Sequence, residues 1–283
     1  MAETIGIVDV GGGFRGIYAS GVLDYCLNQD IRFDVGIGVS AGSANLASFA
    51  SGQVKRNYIY YTQYTMRKEY ASLHNFFRTG SYLDLDYIYG TLSNSDGENP
   101  LDYKAMVKNP MRLTIVATNA LTGEVHYFEK EDMEQDRYDP LKASCAIPFV
   151  CKPYLIDGAP YYDGALADPV PIKKAFACSC DKVVVLLTKP KDELRTTGKD
   201  RFAAYAIRHK YPASARKILN RAKTYNAGIA LAKQYEQQGK ALIVAPDDTC
   251  GIDTLTRNRE KMKRLYQKGY RDGALIQNFL VKE

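Results

Sequence analysis

Two apolar runs near the start of the chain constrain the fold most. Ile5-Gly6-Ile7-Val8-Asp9-Val10 leads into three glycines and then a helix-like stretch from Ile17 to about Asn28. Val35-Gly36-Ile37-Gly38-Val39 leads into Ser40 and a helix of small residues over 41–52. Twice over, the order is strand, tight turn, helix. Parallel strands need a crossover connection, usually a helix, so this order predicts a parallel sheet layered between helices. Later signals extend the pattern. A strand is expected over 111–117, and Thr122-Gly123 reads as a turn into His126-Tyr127-Phe128. A short helix over 141–146 stops before Pro148, and a hairpin links 154–156 to 161–162. Val183-Val184-Val185-Leu186-Leu187 is apolar throughout, as a strand buried on both faces must be. Two long helical stretches flank a last strand over 241–245, which Pro246 ends. Residues 53–109 are rich in Tyr and charge, with helices expected around 55–69 and 101–107 and a loop over 90–99. No internal repeat or low-complexity tract is present. The expected fold is a three-layer α/β/α sandwich around a mainly parallel sheet, with 1–283 as a single domain.

Composition supports this and narrows the function. A chain of 283 residues with 46% hydrophobic content can bury one large core. No run of 18 apolar residues occurs, so no membrane span is expected. Met1-Ala2-Glu3-Thr4 has no basic n-region, so no secretory signal is expected. The six cysteines, at 26, 145, 151, 178, 180 and 250, do not form a disulfide framework in a chain this long. Cys178-Ser179-Cys180 is neither a CxxC nor a zinc-ligand spacing. Free thiols and a cytoplasmic location are the expectation. With only His74, His126 and His209 available, no metal or cofactor is expected. The net charge of +6 is unevenly placed: 201–223 holds seven Lys/Arg and no acid, and 257–271 holds seven with one Glu. Such surfaces attract anionic partners, though solvated helix faces explain them equally well. Without an RGG run, a finger spacing or a helix-turn-helix pattern, no nucleic-acid partner is expected; peripheral contact with an anionic membrane surface is compatible with the charge. Oligomeric state is not legible.

Gly38-Val39-Ser40-Ala41-Gly42 fits G-x-S-x-G between strand and helix. In that setting the serine sits in a tight turn that lifts its hydroxyl above the sheet edge, and Gly38 and Gly42 remove side chains that would collide with neighbouring backbone. The pentapeptide alone is a weak signal, since a plain tight turn would read the same. Gly11-Gly12-Gly13-Phe14-Arg15-Gly16 follows the first strand and opens a helix. It satisfies G-x-G-x-x-G literally, but the acidic residue that should end a second strand is missing, because Asp34 precedes its strand. The loop is better used as an oxyanion hole facing Ser40. Arg15 either supports that loop or makes a surface ion pair.

A serine hydroxyl needs a base to take its proton. His209 lies in the basic run Arg208-His209-Lys210 with no acid nearby, and His74 and His126 stand in polar and turn-edge contexts. Aspartates in Asp157-Gly158-Ala159 and Asp163-Gly164-Ala165 are better candidates. Asp157 reads as a hairpin turn, whereas Asp163 ends a strand and enters a loop and helix, where catalytic groups gather.

With these motifs assembled, the chain resembles the patatin-like phospholipases. The resemblance rests on Gly11 to Gly16, Gly38 to Gly42, Ala143-Ser144-Cys145-Ala146-Ile147-Pro148 and Asp163-Gly164-Ala165, in that order, and covers about 5–190. The closing part, 191–283, with Arg257-Asn258-Arg259 and Tyr266-Gln267-Lys268-Gly269-Tyr270, resembles a bacterial branch of that family. The resemblance implies a Ser-Asp dyad without histidine or metal: Ser40 as nucleophile, Asp163 as general base, and Gly11, Gly12 and Gly13 as oxyanion hole with Arg15 in support. It implies a lipid or other acyl-ester substrate, cleaved through an acyl-enzyme. Phe14, and Asp-Gly-Ala in place of Asp-Gly-Gly, depart from the usual pattern without removing a catalytic atom. Residues 53–89 are expected to cover an acyl groove. A non-lipid esterase or thioesterase, and a nucleotide-binding protein using the first glycine loop, are the alternatives.

Overall fold

The computed structural model describes residues 3–198 and 200–281. Met1 and Ala2, part of the stretch read for a secretory signal, lie outside the described residues. The chain begins with β1 (Ile5–Asp9), a 3-10 turn at Gly13–Gly16, α1 (Ile17–Asn28), β2 (Val35–Val39) and α2 (Ala41–Ala50). It continues through α3 (Arg56–Thr62), α4 (Leu73–Thr79), α5 (Tyr103–Lys108), β3 (Arg112–Asn119), β4 (Val125–Glu129) and α6 (Asp139–Ser144). The hairpin β5 (Tyr154–Ile156) and β6 (Ala159–Asp163) precedes α7 (Ile172–Ala177) and β7 (Lys182–Leu186). Then come α8 (Asp200–Ile207), α9 (Pro212–Gln237), β8 (Ala241–Val244), α10 (Arg259–Asp272) and α11 (Ala274–Val281).

Five strands in the order β3-β2-β1-β7-β8 run parallel. β4 and β6 pair antiparallel with β3, and β5 pairs antiparallel with β6. The parallel part is buried on both faces because side chains alternate between two cores. Along β7, Val184 and Leu186 join α1, α2 and α10 in one core, while Val183 and Val185 join α7 and α9 in the other. The architecture is therefore the three-layer α/β/α sandwich expected. On β2, Val35, Ile37 and Val39 all face the α7–α9 side. Gly38 lets α2 lie against the strand at close range, since a Cβ there would run into the backbone of Ser43, while one on Gly36 would meet the Met111 side chain.

Two local expectations change. The helix expected over 55–69 breaks at Gln63, whose backbone (φ −121, ψ −61) leaves the helical region, and a 3-10 turn at Tyr64–Met66 follows. The loop expected over 90–99 starts later, because Tyr87–Leu92 forms a π-helical turn. The closing segment is tied to the front of the chain. β8 extends the sheet beside β7. α10 crosses α1 so closely that a Cβ on Gly21 would meet the Tyr266 carbonyl and one on Gly269 the Tyr18 carbonyl. Tyr18 donates to Asp272 at 2.6 Å and Tyr266 to Asp24 at 2.7 Å across the same crossing. Among the described residues, no helix is long and apolar enough to cross a membrane.

Candidate active site

Strand register brings Ser40 and Asp163 together. Val39, the last residue of β2, is opposite Val116 of β3, and Asp163, the last of β6, is opposite Ala117. The two strands thus end at adjacent rungs of β3, and the residue following β2 is Ser40. Its backbone lies at φ 56, ψ −130, a conformation L residues rarely adopt, which turns the chain sharply into α2. Ser144 fixes this turn. Its hydroxyl accepts from the Ser40 N–H at 2.9 Å and donates to the Val116 carbonyl at 2.6 Å. On the other side, the Ser40 carbonyl accepts from the Ser43 N–H and hydroxyl.

Asp163 is held equally firmly. Its N–H donates to the Ala146 carbonyl, its carbonyl accepts from the Thr118 hydroxyl, and Oδ1 accepts from the Ala165 N–H at 2.8 Å. Both side chains are buried. Burial pushes the Asp163 carboxyl above its usual range. The Ser40 hydroxyl, as a hydrogen-bonding neighbour, and the Ala165 N–H act in the opposite direction, as do the charges of Arg221 and Arg195.

The glycine loop runs past this pair with Gly11, Gly12 and Gly13 at φ +66, +127 and +60. Three successive positive φ values call for glycine. Of the three N–H groups, that of Gly11 is bonded to Asp9 Oδ1 at 2.9 Å, and among the described residues those of Gly12 and Gly13 have no partner. Asp9, which the sequence presents only as the tail of an apolar strand, also accepts from Asn45 at 3.0 Å. Burial raises its carboxyl to about 6, against the pull of those two bonds. A Cβ on Gly42 would run into the Asp9 carbonyl, so the closing glycine of G-x-S-x-G serves contact with the end of β1. Arg15 is buried and donates to Asp253 at 2.6 Å and Thr254 at 3.0 Å.

Ser40 borders two spaces. A cavity of about 120 Å³ also touches the glycine loop, Asp163, Arg15, Lys189, Arg195 and Arg221. A narrower slot of about 40 Å³ is lined by Tyr60, Tyr61, Tyr70, Leu83, Ile88 and Cys145 among others. Several of its walls come from the 53–89 segment expected to cover a groove. His74, His126 and His209 line neither space. Asp157 sits in the exposed turn of the β5–β6 hairpin at φ 51. Among the described residues, no group of three or more His, Cys, Asp or Glu side chains is placed to hold a metal ion, and the six cysteines are free.

The sequence profile of the patatin-like phospholipases matches residues 10–176, more than half of the chain. The chain belongs to the patatin-like phospholipase family. Residues 211–277, which hold α9, β8, all of α10 and the start of α11, match a domain of unknown function, DUF6363. The Escherichia coli K12 protein YjjU, described as uncharacterized, is 28% identical over 199 residues, covering 66% of this chain and 52% of that protein. The chain thus spans about half the length of this relative. The crystal structure of VipD from Legionella pneumophila aligns over 99% of this chain and 67% of that one, with 14% identity and a TM-score of 0.48. Membership of the family supports serine-hydrolase chemistry in general terms.

Proposed function

We propose that this patatin-like chain is a serine acyl hydrolase that cleaves fatty-acyl esters through a Ser40–Asp163 dyad and an acyl-enzyme. The observation that carries the reading is the junction on β3, where a strained serine meets a buried carboxylate beside two backbone N–H groups that have no partner among the described residues. Asp163 takes the Ser40 proton as Oγ attacks the ester carbonyl. The N–H groups of Gly12 and Gly13 receive the developing oxyanion, aided by the N-terminus of α2. The Gly11 N–H, bonded to Asp9, holds the loop in shape. The alcohol leaves with the proton from Asp163, which then activates water to release the acid and regenerate Ser40.

A second reading, a short-chain non-lipid esterase, draws support from the slot of about 40 Å³ beside Ser40, which has room for only a few water-sized groups. A long acyl chain enters it only if the 53–89 segment moves. Hydrolysis of acyl esters of graded chain length by the wild type, beside Ser40→Ala and Asp163→Asn, tests both. We expect a fluorophosphonate to label Ser40, and each variant to lose at least about a hundredfold in kcat/KM while keeping its fold. Labelling elsewhere, or full activity in Ser40→Ala, removes the dyad reading; preference for short chains favours the non-lipid esterase. The basic surface and the exposed Leu73 and Phe77 suit peripheral contact with an anionic membrane, which vesicle sedimentation at low and high salt tests.

A further inference from the structure

The glycine loop is the part of the proposed catalytic machinery least able to hold its own shape. Gly11, Gly12 and Gly13 all take positive φ, which glycine adopts freely but does not enforce. Backbone N–H groups stabilise an oxyanion only when they are aimed beforehand, and a misplacement of about 1 Å can cost about a hundredfold in rate. The N–H groups of Gly12 and Gly13 have to stay open for that purpose, so the loop must be gripped through its other atoms.

Two segments from beyond residue 176, where the patatin match ends, supply that grip. Thr188, just after β7, donates its hydroxyl to the Gly11 carbonyl at 2.5 Å, and a Cβ on Gly12 would strike the same hydroxyl. The other segment is the connection between β8 and α10, inside the part that matches DUF6363. Its Thr254 carbonyl accepts from the Phe14 N–H at 3.1 Å and lies so close to Gly13 that a Cβ there would run into it. Asp253 Oδ1 and the Thr254 hydroxyl accept from the buried Arg15 at 2.6 and 3.0 Å. Asp253 Oδ1 also accepts from the Thr254 N–H at 2.8 Å, which fixes the turn that presents the carbonyl. Behind this turn, Ile252 is buried in the core around α1, and Lys268 of α10 pairs with Asp247 and Asp248. The connection is thus anchored to the body of the fold where it presses on the glycine loop.

We propose that Thr188, Asp253 and Thr254 are positioning residues that hold the Gly12 and Gly13 N–H groups in place for the oxyanion, so that the segment matching DUF6363 completes the active site. This rests on the acyl-hydrolase reading of Ser40 and adds to it the source of the loop's rigidity. The three residues act through the loop, and their effect belongs to the transition state rather than to substrate binding.

The test uses the full chain, a water-soluble acyl ester and the variants Asp253→Asn, Thr254→Val and Thr188→Val. Each is close in size to the residue it replaces, and they lie on two separate segments, so one unstable variant does not decide the outcome. Active sites are counted with a fluorophosphonate run to completion, which puts kcat on a per-serine basis. Each variant should lose at least about tenfold in kcat while KM stays within about twofold. A trifluoromethyl ketone, which forms a tetrahedral oxyanion on the serine, should bind more weakly by the same factor as kcat/KM falls. Lys263→Gln, which breaks an exposed pair with Glu260 on α10, should change neither. Wild-type kcat in all three variants, or a fall in kcat with no loss of ketone affinity, overturns the brace. If the wild type cleaves no ester in a Ser40-dependent way, the hydrolase reading has failed instead. The brace is then read separately by amide hydrogen exchange. The Phe14 N–H should exchange at least about tenfold faster in Asp253→Asn than in the wild type or Lys263→Gln, and unchanged protection overturns the brace on its own.

Discussion

Ser40 occupies a backbone conformation suited to glycine, and the surrounding hydrogen bonds from Ser144 and Ser43 hold it there. Such strain typically costs about 1–3 kcal/mol. Ser40→Gly and Ser40→Ala both delete the hydroxyl, so comparing them isolates the backbone. The glycine variant should be more stable by about 1 kcal/mol, after its extra freedom in the unfolded chain is subtracted; denaturant unfolding of the pair measures this, and equal stability refutes stored strain. Asp9 makes a second prediction. Its carboxyl titrates near 6 in the fold against an ordinary value of 3.8, so between these pH values the folded state binds more protons than the unfolded one. Its contribution to stability therefore falls as pH rises from about 4 to 6, by about 3 kcal/mol in all, and is constant above. Asp9→Asn should flatten that slope in a pH series of unfolding midpoints, whatever it does to the absolute level through its altered bond to Asn45. G-x-S-x-G marks Ser40 locally, but Asp-Gly-Ala occurs at Asp157 and Asp163 alike, so the choice of Asp163 rests on its strand-end context and on the resemblance. Asp9, Ser144, Arg195 and Arg221 carry no such pattern, because each matters through partners elsewhere in the chain. Only the strand register reveals that the Ser144 hydroxyl bridges the turn at Ser40 to β3.

Elements were legible to the degree that their pattern was continuous. The strands over 5–10, 35–39 and 183–187 came out within a residue or two, since uninterrupted apolar runs between turn residues have few alternatives. The 53–109 region did not, because its tyrosines are amphipathic and fit helix, turn and core alike. Gln63 interrupts it where no glycine or proline gave warning. The crossing of α1 and α10 was also invisible, although its glycines stood in plain view. Gly21 and Gly269 are not turn residues there; each removes the Cβ that would strike the other helix's backbone. Gly269→Ala should therefore destabilise the protein by about 1–3 kcal/mol, against the usual gain from alanine in a helix. A thermal melt decides between the two signs.

For the whole molecule, the parallel sheet does not stop where the patatin match ends. β7 begins after residue 176, β8 pairs with β7, and α10 covers the face of α1. We expect a chain truncated after residue 190 to be insoluble or molten, because it exposes the apolar faces of α1 and β7; a soluble, cooperatively unfolding 1–190 fragment would show that the closing segment is a separate unit. The meeting of β2 and β6 on β3 also sets a timetable. No local segment contains both halves of the proposed dyad, so a nascent chain exposes its serine without its base until synthesis and folding have passed β6. Only the closing of two long-range strand pairings arms it, and such pairings are the slow steps of folding. The proposed hydrolase should therefore gain its activity only with these pairings, and not with the formation of any single segment.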